Sequence, residues 1–270
     1  STGLKMISKR FSKLFGNKTR NPKMEKLTQF HMDIASSIQS VTEDVMLKIT
    51  NSLANEYHIK NLCLAGGVAL NCVANGKILR NGKFENIWIQ PAAGDAGGSL
   101  GAALGLWHIE LKKSRTINNK DSMSGSYLGP QYSQDEVEKK LKEIDANFEV
   151  LDEEKLIENT ALELSHNKAV GWFQGRMEFG PRALGCRSIL GDARSEKMQK
   201  NLNLKVKYRE SFRPFAPSVI REDLSTWFDL DCDSPYMLLV SGVANEKRRI
   251  MTEEEKAFFG IDKLNVKRSD

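Results

Sequence analysis

The stretch NLCLAGGVALNCVANGKILRN, residues 61–81, reads as three pieces in order. Asn61–Ala65 is a short apolar strand, Gly66-Gly67 is a turn, and a helix runs from Val68 onward. The same grammar recurs at once in FENIWIQPAAGDAGGSLGAALGLWHIEL, residues 84–111. There Ile87–Gln90 is a strand, Pro91–Gly98 a loop, and a helix of small residues continues to about Leu111. Strand, glycine turn and helix, twice over, predict an α/β fold.

On the N-terminal side, residues 24–57 read as one long helix. Leu27, Phe30, Ile34, Ile38, Val41, Val45, Ile49 and Leu53 step by three and four and share one face. Residues 1–23 carry Lys5, Lys9, Arg10, Lys13, Lys18, Arg20 and Lys23 and no acid, with Leu4, Ile7, Phe11 and Leu14 at helical spacing. A membrane-surface or transit-like helix has this pattern, but the reading adopted is a basic connecting segment. On the C-terminal side, KKSRTINNKDSMSGS, residues 112–126, is polar without periodicity and reads as a linker. Ser133 with Glu136 three residues on predicts a capped helix, and EEKLIENTALELSHN a second one. KAVGWFQG then reads as a strand leading into a glycine- and arginine-rich motif.

Composition narrows the function. The chain has 270 residues, enough for one large domain or two ordinary ones. No apolar run approaches the ~18 residues of a membrane span, so no membrane partner is expected. Cys63, Cys72, Cys186 and Cys232 lie far apart with no C-x-x-C spacing, which fits a reducing, cytoplasmic compartment. Net charge is +5, yet residues 173–213 hold ten Lys/Arg against four Asp/Glu, and the other 229 residues thirty against thirty-one. Positive charge confined to one segment suggests a small anionic ligand, and nucleic acid is not an expected partner.

Three stretches can carry chemistry. Gly66-Gly67, with Asn71 and Asn75 behind it, is either a packing device at the strand end or a place where backbone approaches a ligand at a helix start. Asp95 sits in a second glycine loop with Gly97 and Gly98, where it caps the helix or holds a cation beside phosphate oxygens. Two such loops about thirty residues apart suggest a nucleotide cleft. The third stretch is GWFQGRMEFGPRALGCRSIL, residues 171–190, and its continuation. Arg176, Arg182, Arg187, Arg194, Lys205, Lys207, Arg209 and Arg213 interrupt apolar and glycine residues, and Glu178, Asp192 and Glu210 can orient the guanidinium forks. The apolar FRPFAPSV around Arg213 predicts a partly buried guanidinium that needs a partner.

Nucleophilic catalysis has little support. There is no G-x-S-x-G, and no Cys–His pair is suggested by spacing; His31, His58, His108 and His166 read as structural or incidental. Trp227–Asp233, with three alternating acids, reads as a strand edge or turn rather than a cation site.

Taken together, LAGGVALNCVANGKI, PAAGDAGGSLGAALG, YLGPQYS, GRMEFGPRALGCRSILGDAR and VKYRESFRPFAPSV resemble the NodU-type O-carbamoyltransferases of nodulation-factor and antibiotic biosynthesis, over roughly residues 26–270. The resemblance implies the C-terminal lobe of an actin-like (ASKHA) nucleotide-binding domain at 24–111, then, after the 112–126 linker, an incomplete YrdC-like twisted α/β sheet domain at 127–270. It implies an ATP-dependent enzyme that forms carbamoyl adenylate from ATP, with Mg²⁺, and carbamoyl phosphate. The carbamoyl group then passes to a hydroxyl of a small-molecule acceptor.

Carried over residue by residue, the resemblance implies a catalytic set of Arg182, Arg187 and Arg213 and a substrate-binding set of Arg176, Glu178, Lys205, Lys207 and Arg209. It places nucleotide at Gly66, Gly67, Asn71, Gly97 and Gly98, and a divalent metal, iron being one candidate, at Asp95. The family's H-x-x-x-H metal pair and its N-T-S-F-N-type motif do not occur in this sequence. The chain therefore reads as a piece of a longer enzyme, with the metal shared with an N-terminal lobe. The acceptor's identity and the oligomeric state, a homodimer included, are left open. Two other readings are a tRNA threonylcarbamoylation-type enzyme and a non-catalytic nucleotide-binding remnant.

Overall fold

Ser8 accepts a hydrogen bond from the Phe11 N–H and starts a six-residue helix, α1 (Lys9–Leu14). This computed structural model describes residues 7–16, 19–21, 24–117, 120–260 and 262–266. Leu4, Lys5, Lys18 and Lys23 of the expected basic segment, Asn118 and Asn119 of the expected linker, and residues 267–270 lie outside the described residues.

The long helix is α2 (Gln29–Tyr57). His31 Nδ1 accepts from the Thr28 N–H at 3.1 Å and caps its start, and His58 closes it in a left-handed conformation, φ 53°. The end at Tyr57 matches the expected 24–57, but the helix starts five residues late, at the Thr28 cap, which leaves Leu27 outside it, and the buried face differs too. Met46, Leu47 and Ala54 pack on the core, with Glu43 and Thr50 buried beside them. The periodic stripe of Ile38, Val41, Val45 and Ile49 is turned elsewhere, roughly 140° around the helix at ~100° per residue, and is mostly exposed.

The decisive stretch folds as β1 (Asn61–Leu64), a 3-10 turn at Gly67–Leu70, and α3 (Cys72–Asn81). The helix expected from Val68 thus begins four residues later, where Asn71 Oδ1 accepts the Ala74 N–H at 3.1 Å and caps it. β2 (Asn86–Ile89) lies parallel to β1, with Leu62 opposite Ile87 and Leu64 opposite Ile89. α4 (Ala96–Gly105) follows and widens into a π turn at Leu106–Glu110 instead of continuing as regular helix to Leu111.

After the polar stretch come α5 (Gln134–Glu143), whose Ser133–Glu136 capping box forms as expected, and α6 (Glu153–Ser165). β3 (Val170–Phe173) pairs antiparallel with β4 (Arg187–Leu190). α7 (Met198–Asn201), a π turn at Leu202–Val206, α8 (Leu224–Trp227) and α9 (Glu253–Ala257) complete the element order with short 3-10 turns. Among the described residues each sheet has two strands. The mixed α/β character expected from sequence is present. No described helix is long and apolar enough to cross a membrane.

One core joins the two ends of the chain. Ala69, Ile89 and Ala93 pack with Met123, Tyr236 and Leu238, and Phe179 and Leu184 lean on the same cluster. Met123 and Ser126 are buried, so the last residues of the polar stretch are drawn into this core. Asn75, fully buried on α3, donates from Nδ2 to the carbonyls of Ala69 at 2.8 Å and Leu238 at 3.0 Å. Gly76 lies so close to the Val240 carbonyl that a Cβ would come within 2.3 Å of its oxygen. Small and polar residues on α3 thus allow backbone from the far end of the chain to approach the helix closely.

Candidate functional site

The three motifs singled out in the sequence meet at one place. Gly66, at φ 94°, donates its N–H to the Ala93 carbonyl at 2.8 Å and ties the first glycine turn to the second loop. Gly180, at φ 127°, rests against Pro91 and Ala92 of that loop. Two residues on, Arg182 donates from Nη2 to the Leu70 carbonyl at 3.3 Å, within the Gly67–Leu70 turn. Its Nε is buried and has no hydrogen-bond partner among the described residues. An orphaned guanidinium donor is costly unless an acceptor serves it. Such a donor beside two exposed glycines is chemically suited to an anionic oxygen.

Glu178 organises the arginine loop from below. It is 7 % exposed. Its Oε1 accepts from the N–H groups of Cys186 at 2.7 Å, Leu184 at 3.0 Å and Arg187 at 3.3 Å. Burial pushes this carboxyl up, but its own N–H and those of Leu184, Cys186 and Arg187 together hold it below the usual glutamate range. Its partners are thus the loop backbone rather than a guanidinium.

The other expected residues divide by what they touch. Arg187 is spent on backbone: Nη1 donates to the carbonyls of Gln174 at 2.7 Å and Cys186 at 2.8 Å, and Nη2 to Gly175 at 3.1 Å. Its guanidinium stacks 3.4 Å from the centre of the Phe173 ring. Arg176 donates to the Gly129 carbonyl at 3.1 Å. Both brace the β3–β4 end of the loop.

Arg209, Arg213, Lys205 and Lys207 belong to a separate unit around Asn203. Asn203 is fully buried and donates to the carbonyls of Ser211 at 3.0 Å and Arg213 at 2.8 Å. Its Oδ1 accepts from Arg209 Nε at 2.6 Å. The expected partly buried Arg213 is instead about half exposed and pairs with Glu210 at 2.8 Å. Its backbone carbonyl is held inward by Asn203 and Gln199, which leaves the side chain pointing outward. Lys205 and Lys207 are exposed. No hydrogen bond or ion pair among the described residues joins this unit to the glycine turns. Asp192 takes Arg194 bidentately, with contacts of 2.9, 3.1 and 2.7 Å, and is pulled down to about 2 by those hydrogen bonds.

In the glycine loops, Gly66, Gly67 and Gly98 have open space where a Cβ would stand, whereas one at Gly97 would meet the Ala92 carbonyl at 2.1 Å. Gly97 is therefore required by packing, and the other three leave room for a ligand. Asn71 is engaged beyond its cap, exchanging hydrogen bonds with Gln39 of α2 at 2.9 and 3.1 Å. Sequence reasoning missed Gln39, whose partner lies thirty-two residues away. It also missed Tyr236, which donates to Asp121 and accepts from the Gly125 N–H at 3.1 Å.

Asp95 is exposed and makes no side-chain cap. Among the described residues no three His, Cys, Asp or Glu side chains stand close enough to hold a metal ion. The described residues therefore do not make up a metal site by themselves.

Comparison with known proteins bears on what this arrangement does. A family model described as "Carbamoyltransferase N-terminus" matches residues 1–104, and one described as "Carbamoyltransferase C-terminus" matches residues 161–256. An uncharacterised protein of Synechocystis sp., sll1178, is 55 % identical over 271 residues, covering all of this chain and 44 % of the relative. Nodulation protein NolNO of Sinorhizobium fredii is 41 % identical over 83 % of this chain and 33 % of its own length. Nodulation protein NolO of Bradyrhizobium diazoefficiens is 37 % identical over 83 % of this chain and 41 % of its own length. The chain thus spans less than half the length of these curated relatives. With both family models matched in order, and with the arginine motif set against the glycine turns, the chain belongs to the NodU-type carbamoyltransferase family.

Proposed function

We propose that this chain is the nucleotide- and phosphate-handling part of an O-carbamoyltransferase that forms carbamoyl adenylate from ATP and carbamoyl phosphate. The acceptor is then the hydroxyl of a small molecule. The observation that carries the reading is Arg182. A buried, unpartnered guanidinium donor lies beside the Gly66-Gly67 turn, in the segment that holds most of the chain's excess positive charge.

The chemistry balances in three steps. Water cleaves carbamoyl phosphate to carbamate and phosphate. A carbamate oxygen attacks the α-phosphorus of ATP, and pyrophosphate leaves with the electron pair of the broken P–O bond. The acceptor hydroxyl then attacks the carbamoyl carbon, AMP leaves, and the hydroxyl proton is lost.

In this reading Arg182 donates to phosphate oxygens as charge builds there, and the bare backbone at Gly66, Gly67 and Gly98 admits the nucleotide. Glu178 and Arg187 keep the loop's shape, and Lys205, Lys207, Arg209 and Arg213 supply long-range attraction for anions. Asp95 contributes a single carboxylate; no step is routed through a metal. A cytoplasmic setting, with no nucleic-acid or membrane partner, belongs to the same proposal.

The test is carbamoyl-phosphate-dependent exchange of labelled pyrophosphate into ATP by the intact polypeptide that contains this chain. Arg182→Ala should lower exchange about 100-fold or more, the usual loss for one preorganised donor. Normal exchange after removing Arg182 and Arg213 together would overturn the assignment.

A further inference from the structure

α2 is covered on only one of its two apolar sides. Met46, Leu47 and Ala54 are packed, whereas Ile38, Val41, Val45 and Ile49 are 61, 57, 46 and 55 % exposed. Val41, Val45 and Ile49 form one wall of a groove of about 430 Å³, and Leu64 of β1 and Val68 of the glycine turn form the other. Single exposed apolar residues are ordinary, but a contiguous apolar groove marks a contact surface.

The adjacent sheet has the same incompleteness. β1 and β2 are two parallel strands of four residues each, paired only with one another among the described residues. Parallel sheets are ordinarily covered on both faces and built from more strands. Leu62 and Ile89 bury one face of this sheet, and Trp88 on the other lies 6.2 Å from the Tyr236 ring, but both outer strand edges are unpaired among the described residues. The stripe of α2 and the edges of the sheet thus lack a covering layer in the same part of the chain.

That part is the one matched by the carbamoyltransferase N-terminus model, residues 1–104. The Synechocystis relative aligns with the whole of this chain and still has more than half its length outside the match. We propose that the α2 stripe and the open β1–β2 sheet are the docking surface for the portion of the carbamoyltransferase polypeptide that lies outside the matched region. That portion presents an apolar layer that fills the groove and extends the sheet. This assignment rests on family membership and the exposed surface, and not on the identity of the carbamoyl donor. Because Val68 follows Gly66-Gly67 directly, the docked layer would also form a wall of the candidate site.

Two proteins, each in its own form, test this: the present chain and the intact Synechocystis relative. Hydroxyl-radical footprinting of α2 should show the stripe readily oxidised in this chain. In the intact relative the aligned positions should be protected at least about fivefold, as half-exposed side chains become interface core. Val45→Glu with Ile49→Glu should leave the melting temperature of this chain unchanged, whereas the aligned pair should lower that of the relative. Equal oxidation in the two proteins, or equal tolerance of the pair, overturns the proposal. So does a homodimer of this chain, seen by light scattering, that the pair dissolves, since the face would then belong to a second copy.

Discussion

Glu178 Oε1 lies 2.7 Å from the backbone nitrogen of Cys186 and also serves the N–H groups of Leu184 and Arg187. One carboxylate thus shapes the turn between Arg182 and Arg187. Glu178→Ala would leave buried donors without an acceptor, each costing about 1–3 kcal/mol. A loss of at least ~2 kcal/mol in urea unfolding is therefore expected.

The same carboxylate gives a pH signature. Its folded-state value lies below the ordinary 4.5, so its contribution is complete above that value and is lost as pH falls through the depressed one. The urea-midpoint gap between wild type and Glu178→Gln should hold near neutrality and shrink on acidification below 4.5. A gap that widens with acid would contradict the assignment.

Neighbouring glycines in α4 should respond in opposite directions. Gly98→Ala meets nothing and should stabilise the helix by up to about 1 kcal/mol. Gly97→Ala drives a methyl into the Ala92 carbonyl and should lower the melting temperature. Thermal melts of the two variants measure the contrast. Weaker ATP binding by the more stable Gly98→Ala would place the nucleotide there.

Asn75→Ala removes the donor to both the Ala69 and Leu238 carbonyls. With both acceptors buried, a loss of about 2–4 kcal/mol is expected. Hydrogen exchange should report faster opening at residues 236–240 as well as in α3, because Asn75 ties the two together.

Tyr236 gives an alkaline counterpart. Burial, reinforced by the hydrogen bond to Asp121, pushes its phenol up to about 12 from an ordinary 10. The neutral form is favoured in the folded state, so the contribution is complete below 10 and is lost as pH rises toward 12. Tyr236→Phe should be less stable at neutrality, and its deficit should vanish over that window in pH-dependent unfolding.

Legibility from sequence tracked the range of the interactions. The Ser133–Glu136 box and the run of α2 to Tyr57 depend on residues three or four apart, and both were readable, whereas the start of α2 at Thr28 was not. The covered face of α2 was not, because burial of Met46 and Leu47 is decided by α3 and β1, while the more regular stripe at Ile38, Val41, Val45 and Ile49 faces outward. The polar stretch before Tyr127 read as a linker, since nothing in its composition announces Tyr236, over a hundred residues later, as the partner of Asp121.

Within the arginines, side-chain type announced an anion-seeking segment. Only the fold separates Arg187, committed to three backbone carbonyls and the Phe173 ring, from Arg182, which keeps a buried donor without a partner among the described residues. Arg213 followed its backbone outward, against the apolar sequence around it.

The close approach of Gly76 to the Val240 carbonyl has an evolutionary corollary. The regions matched by the N- and C-terminal family models look like modules in a linear alignment, yet α3 of the first is fitted to main chain of the second with no room for a methyl group. A gene rearrangement that brought in a foreign partner for either region would have to reproduce that fit. The two regions should therefore be inherited together, and chimaeras joined between them should fail unless residues 236–240 travel with α3.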